Sequence, residues 1–269
     1  MPDEKPYISQ SRLGMLGKCP EQYRRRYVEN EIIPPGVAMA RGVGVHGAAK
    51  GNFRQKIESH EDLLTQDIID IAVSEFDRVL KRGVRFTPEE ESRGAEVVIG
   101  ETRDTTAGLA TVFAEEVAPA YQPEMVEQKQ RIVLPEAPFD LVAILDLMTT
   151  DGYVVDLKTS SKSPGLYDAD QSEQLTFYAL VYKALKGELP VGVSLEVLVE
   201  TPAQKKRYRK ALHSTRTIGD LTALVNRINM AVKLIDAGVF IPTNPSNWWC
   251  DSRWCGYFNT CKYVNPNRR

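Results

Sequence analysis

The pattern of apolar residues predicts an α/β (α+β) protein, a mixed central sheet flanked by helices. Three observations support this. Apolar residues recur at helical spacing through the first third of the chain. From Pro123 onward the spacing shortens into runs of strand length, two of them joined by an Asp151-Gly152 turn signal. A further strand-length run, at residues 193–199, then stands between two segments of helical spacing. This order is not a repeated βαβ winding.

The first helix is expected over about residues 9–28, with Leu13, Leu16, Tyr23 and Tyr27 in phase and Ser9 as its N-cap. Pro34-Pro35-Gly36 breaks the chain, and a second helix is expected to begin near Arg41 and to carry His46. Two more are expected at about 61–81 and 88–118; Leu63, Ile68, Ile71 and Phe76 mark the former. Segments 125–127 and 131–134 read as one strand, 141–148 as a second and 153–158 as a third, with Asp151-Gly152 as the tight turn. A helix follows at about 171–185, with Leu175, Tyr178, Ala179 and Tyr182 on one face. After the strand at 193–199 come a short edge strand at 205–209 and a long helix at about 218–237. From Pro242 the tail is irregular and rich in cysteine and tryptophan. One domain, 1–269, is expected in three parts: a mainly helical segment 1–122, a sheet-bearing core 123–214, and a C-terminal helix and clasp 215–269.

The composition is that of an ordinary globular protein. No apolar run reaches the roughly 20 residues a membrane span needs, and the polar start does not read as a signal peptide, so a cytoplasmic location is the default expectation. A net charge of -2 does not by itself suggest nucleic acid. Lys205, Lys206, Arg207, Arg209 and Lys210 are clustered, as are Arg24, Arg25 and Arg26; each cluster could contact phosphates or be a solvated face. Cys250, Cys255 and Cys261 crowd the tail while Cys19 stands near the start. Without a secretory signal, such a cluster reads first as metal or iron–sulfur ligation.

The chemistry centres on two strands. In Val154-Val155-Asp156-Leu157-Lys158, alternation puts Asp156 and Lys158 on one face and Val155 and Leu157 on the other, at the exposed end of an apolar strand. The preceding strand, at Val142-Ala143-Ile144-Leu145-Asp146, also ends its apolar run with a carboxylate. Pairing through the turn lets Asp146 and Asp156 converge. Two such carboxylates repel unless a cation lies between them, and oxygen ligands suit Mg²⁺ or Mn²⁺. A bound metal and a nearby lysine meet the needs of phosphodiester hydrolysis. The same residues also read as a surface Asp–Lys pair.

The wider pattern resembles the PD-(D/E)XK nuclease superfamily, in particular its RecB-like branch. Ala143-Ile144-Leu145-Asp146 followed by Asp156-Leu157-Lys158-Thr159 is similar to that family's Gly-x-x-Asp and Asp-x-Lys-Thr, with Ala143 in place of the glycine. Gln174 to Tyr178 is similar to its Gln-x-x-x-Tyr. Ser9 to Leu13, Cys19-Pro20 with Tyr23, and Gly42 to His46 fill its N-terminal elements in order. The resemblance runs from about Ser9 to Tyr263 and implies a restriction-endonuclease-like core. It further implies a metal site of His46, Asp146, Asp156 and the Leu157 carbonyl, with Lys158 as the catalytic lysine. Gln174 and Tyr178 would lie beside the site, contacting DNA or ordering the lysine, and Glu127 stands where some relatives have a supporting acid.

Cys19 with Cys250-x4-Cys255-x5-Cys261 resembles the iron–sulfur clasp of the AddB-type and CRISPR-adaptation nucleases, whose usual spacing is Cys-x2-Cys-x5-Cys. This implies a 4Fe–4S cluster, with four-thiolate zinc as the alternative, acting as a structural staple shielded by Trp248, Trp249 and Trp254. The implied activity is metal-dependent DNA hydrolysis in recombination, repair or replication. An exonuclease on single strands or duplex ends is expected, possible partners being a helicase or a recombination protein. The chain carries no Walker-type motif of its own. A structure-specific endonuclease and a non-catalytic nucleic-acid-binding module with a structural metal cluster are the alternatives.

Overall fold

The computed structural model describes residues 5–134 and 137–264; the outermost ends of the first and last expected segments lie outside them. After a two-residue strand at Tyr7–Ile8 (β1), Ser9 caps the first helix, Gln10–Lys18 (α1), accepting from the Arg12 amide at 3.3 Å. The helix expected to reach residue 28 is interrupted. Cys19 is extended because proline disfavours helical backbone in the residue before it. Pro20 then starts Pro20–Tyr23 (α2), which widens into a π-helical turn at Arg24–Val28.

Past the Pro34-Pro35-Gly36 break, the helix expected near Arg41 begins earlier, as Val37–Ser59 (α3), with Gly36 as its N-cap. His60 ends it in left-handed backbone (φ 60°), so the next helix starts only at Thr65 (Thr65–Lys81, α4). The helix expected over 88–118 is divided at Gly94, whose φ of 88° no helix accommodates. Thr87 and Glu90 form a capping box on Pro88–Arg93 (α5), and Ala95–Val112 (α6) runs into a π-helical turn at Phe113–Val117.

Pro123–Ile132 (β2), Asp140–Thr149 (β3) and Tyr153–Ser160 (β4) form the antiparallel meander. Gly152 makes the turn at φ 85°. A short helix, Asp168–Gln171 (α7), and Glu173–Lys186 (α8) cross over to Gly192–Glu200 (β5), parallel to β4. The short edge strand expected at 205–209 is instead Arg207–Ser214 (β6), antiparallel to β5, and Ile218–Asp236 (α9) follows from a Thr217 capping box. The sheet is therefore mixed, six strands among the described residues, and the expected α/β architecture is the one the chain adopts.

Helices cover both faces. Leu13 of α1, Leu175 and Phe177 of α8 and Leu224 of α9 pack on one; Val45 and Phe53 of α3, Ile68 of α4 and Leu109 of α6 pack on the other. Strand β4 alternates between them, with Val154 in the first core and Val155 and Leu157 in the second. No helix of the described residues is long and apolar enough to cross a membrane.

The pairing of β3 creates the feature that positions the site. Strand β2 pairs along one edge of β3 from Leu141 to Thr149. The other edge is shared: β1 pairs with Asp140 and Leu141, and β4 with Leu147 and Met148. Strands β3 and β4 thus hold together for two registered pairs and then part, while β4 stays with β5 over its whole length. Asp146 and Asp156 stand at the apex of this fork, one residue beyond the Leu147–Val155 pair. On the β2 side the ladder skips Glu127 opposite Asp146, and Glu127 adopts left-handed backbone, φ 42°.

Close approach of α3 and α4 keeps the His46 helix against the fork. A Cβ on Gly44 would lie 2.6 Å from the Ala72 carbonyl oxygen and 2.9 Å from Thr106 Cγ2. Gly44→Ala is expected to destabilise by about 1–3 kcal/mol through overpacking. Gly100→Ala, with nothing within 4 Å of its Cβ, should instead stabilise α6 by up to about 1 kcal/mol. Thermal melts of the two variants should shift in opposite directions; equal shifts would contradict this packing.

Candidate active site

Four elements deliver side chains to the fork. His46 comes from α3, Glu127 from β2, Asp146 from β3, and Asp156, Leu157 and Lys158 from β4. His46 Nδ1 lies 3.7 Å from Asp146 Oδ2 and 4.0 Å from Glu127 Oε1. Ligand atoms of these three residues all fall within 4.8 Å of one another, the one such His, Cys, Asp or Glu group of three or more among the described residues. Glu127 therefore joins His46 and Asp146 more closely than the supporting position expected for it. A cavity of about 20 Å³ beside them has room for one water-sized body.

Asp156 sits differently from the sequence expectation. Asp156 itself is 1% exposed, and beyond it the strand opens to solvent only from Lys158 onward. Asp156 Oδ1 accepts from Lys158 Nζ at 2.8 Å and from Gln174 Nε2 at 2.7 Å. Its Oδ2 is buried with no hydrogen-bond partner. Such an orphan oxygen is costly unless something binds it. Across the fork, Asp146 Oδ2 accepts from the Leu157 amide at 3.0 Å, which ties β3 to β4 where the ladder has stopped.

Electrostatics follow from this burial. Desolvation pushes the Asp146 and Asp156 carboxyls up to about 6, against the pull of Lys158; each carboxylate also lies in the field of another, Asp156 in that of Asp146 and Asp146 in that of Glu127. Burial, then Lys158, holds His46 below the ordinary imidazole value, keeping it neutral as a metal ligand must be. Tyr178 is buried on α8 and accepts from Gln174 at 2.8 Å; burial and both aspartates raise its phenol. The geometry links Gln174 to Asp156 and, behind it, to the buried Tyr178.

The residues fit a hard divalent cation: neutral imidazole, converging carboxylates and an unpaired buried oxygen. Lys50, one turn beyond His46, was not singled out by the sequence; its Nζ lies 3.0 Å from Glu127 Oε2. The i,i+4 spacing from His46 was the available signal.

Elsewhere the expectations divide. Cys19, Cys250, Cys255 and Cys261 line one pocket, where Gln22 Nε2 donates to Cys255 Sγ at 3.0 Å. Arg25 ties the clasp down through the Tyr257 carbonyl and Thr260 Oγ1. Of the tryptophans expected to shield the cysteines, only Trp249 lines the pocket; Trp248 and Trp254 are exposed. Half of the eight residues of the basic clusters are neutralised: Arg24 pairs with Glu21 and Glu29, Arg25 with Glu31, Arg207 with Glu200, and Arg209 with Glu196.

Residues 7–262 match the family model of the PD-(D/E)XK nuclease superfamily. The chain belongs to this superfamily. A solved structure named as a candidate exonuclease, from Eubacterium rectale, shares the superfamily member's fold at TM-score 0.52 and 14% identity, over 97% of this chain and 90% of that one. The protein SSO0001 matches at TM-score 0.44 and 14% identity (98% and 89% covered), and an alkaline exonuclease from Laribacter hongkongensis at 0.26 and 12% (76% and 93%). No curated protein matches in sequence.

The raised carboxyls bear on stability. Between about pH 4 and 6 the native superfamily fold holds protons the unfolded chain has released, so without metal these acids make stability fall as pH rises through that window. Asp156→Asn keeps an acceptor for Lys158 and Gln174 but removes the charge. In a chelator its melting temperature should exceed the parent's at about pH 8, by roughly 2–4 °C per kcal/mol recovered, and the gain should fade below about pH 6. Calorimetry across this range checks it; a constant difference would contradict the burial.

Proposed function

We propose that this chain is a divalent-metal-dependent deoxyribonuclease, an exonuclease acting on single strands or duplex ends. The carrying observation is the convergence of His46, Glu127 and Asp146, with the buried, unpartnered Asp156 Oδ2 on the facing strand and Lys158 at the solvent edge. His46, Asp146, Asp156 and the Leu157 carbonyl would hold Mg²⁺ or Mn²⁺, with Glu127 joining or bracing them. When bound, the metal polarises a phosphoryl oxygen and acidifies water. Lys158 offsets charge that develops on the phosphoryl group, and orients the nucleophile. Gln174, with Tyr178 behind it, fixes Asp156 so that Oδ1 serves the lysine and Oδ2 would be left for a cation.

Supporting the exonuclease reading are the RecB-like motifs and the name of the Eubacterium rectale fold neighbour. The chain acts as one nuclease domain, in recombination, repair or replication, with a helicase or recombination protein as its partner. In the clasp, the four cysteines hold a 4Fe–4S cluster as a staple between the start and the tail; what supports this is their common pocket.

End-labelled linear and circular single-stranded DNA test the reading. Linear DNA should be degraded with Mg²⁺ or Mn²⁺ and spared in chelator, and circles should stay intact. Lys158→Ala should slow the reaction by about a hundredfold or more. Undiminished cutting by Lys158→Ala, or degradation in chelator, would refute the catalytic assignment; cut circles would refute the exonuclease one.

A further inference from the structure

A groove of about 910 Å³ lies between α1, the loop before α3, the end of α4 and the clasp. No aspartate or glutamate lines it, although the chain as a whole is slightly acidic. Lys18, Arg26, Arg82 and Arg85 do. Among the described residues no ion pair engages Lys18, Arg26 or Arg82, in contrast to the neutralised arginines around them; Arg78, also in the groove, is held by Glu75. Arg85 is aimed by the Ser252 and Arg253 carbonyls of the clasp.

The same groove carries apolar surface that folding leaves open. Ile32 is 72% exposed, Met39 63% and Trp254 55%. Lys18 Nζ is set over the Trp248 ring at 5.9 Å. Cations without an acidic partner, interleaved with exposed flat or flexible apolar groups, match one polymer chemistry: a phosphate backbone whose bases are unpaired and available to stack. A duplex would hide its base faces and leave Trp254 without a role.

One stripe of α3 joins the groove to the fork. Met39 and Val43 line the groove; His46 and Lys50 line the cavity at the acids. These four positions follow helical spacing on a single face. At about 1.5 Å rise per residue, Met39 stands roughly 10 Å from His46, a span of one or two nucleotides.

We propose that this groove is the entry path for single-stranded DNA, with Arg26, Arg82 and Lys18 contacting phosphates and Trp254 stacking on a base. It rests on the nuclease reading only for the strand's destination at the fork. Binding itself requires no catalysis.

The test is fluorescence anisotropy of a labelled single-stranded oligonucleotide and its duplex, in chelator, with the full chain. The single strand should bind more tightly than the duplex. Arg82→Glu, on an exposed turn, and Arg26→Gln, checked for folding by their melts, should each weaken single-strand binding, together by roughly tenfold. Each lost phosphate contact should lower the slope of log K against log salt by about 0.7. A charge-matched change on β6 and its approach, Lys206→Glu with Lys210→Gln, should leave single-strand affinity within about twofold. An iodouracil oligonucleotide should crosslink to the peptide containing Trp254. Unchanged binding in the groove variants, equal loss in the β6 control, tighter duplex binding, or crosslinks confined to β6 would each overturn the proposal. A chain that binds this way yet cuts nothing would sink the nuclease reading and leave the groove standing; one that cuts while ignoring these cations would do the reverse.

Discussion

Two strands that begin paired and then separate impose the main constraint on this molecule. Strand β3 gives one edge first to β1 and then to β4, and the gap between those partners is where backbone no longer pairs with backbone. Asp146 closes part of that gap by accepting from the Leu157 amide, so a carboxylate replaces a ladder bond. Asp156 faces it from β4. Asp156 lies in the field of Asp146, and burial raises both carboxyls. A proton relieves this at low pH, and Lys158, 2.8 Å from Asp156, offsets part of it above. The fold thus builds a site that is least stable when empty and ionised, as expected where function rather than stability selects the residues.

The surroundings make sense on the same terms. Gln174 and Lys158 both engage Asp156 Oδ1, which leaves Oδ2 as the free valence of the fork. Tyr178 sits behind Gln174, inside the core formed by α8 and the sheet, so the orientation of Asp156 is set by packed side chains. On the opposite face, α3 is pressed against α4 at Gly44, and this depth puts His46 within 3.7 Å of Asp146. Glu127 reaches the same place through left-handed backbone, a conformation that costs free energy in a non-glycine residue and tends to persist at functional sites.

Much of the fold could be read from the chain because the governing signals are local. Alternation in Val154 to Lys158 sorted faces correctly, and Asp151-Gly152 specified the turn. Helix ends were less legible. Pro20 and Gly94 each divide a segment whose apolar phase continues across them, and periodicity alone sees through such breaks. Strand β6 was clipped at Arg209 because its charged residues hid the alternation that runs on to Leu212. At the fork, Asp146 and Asp156 were legible as acids interrupting apolar runs, although both strands continue past them, to Thr149 and Ser160. That Asp156 is buried, and that Glu127 lies nearer His46 and Asp146 than a supporting role requires, depends on the skipped ladder pair and on α3 depth. Both are tertiary properties with no local signature. Lys50 stayed hidden because its partner Glu127 comes from a distant strand.

The central claim is that the fork holds one divalent cation. Anomalous scattering from crystals grown with Mn²⁺ tests it most directly. The account predicts a single strong peak about 2.0–2.3 Å from oxygens of Asp146 and Asp156, with His46 in the same shell. A fork with full-occupancy acids and no peak, or manganese bound only elsewhere, would contradict it.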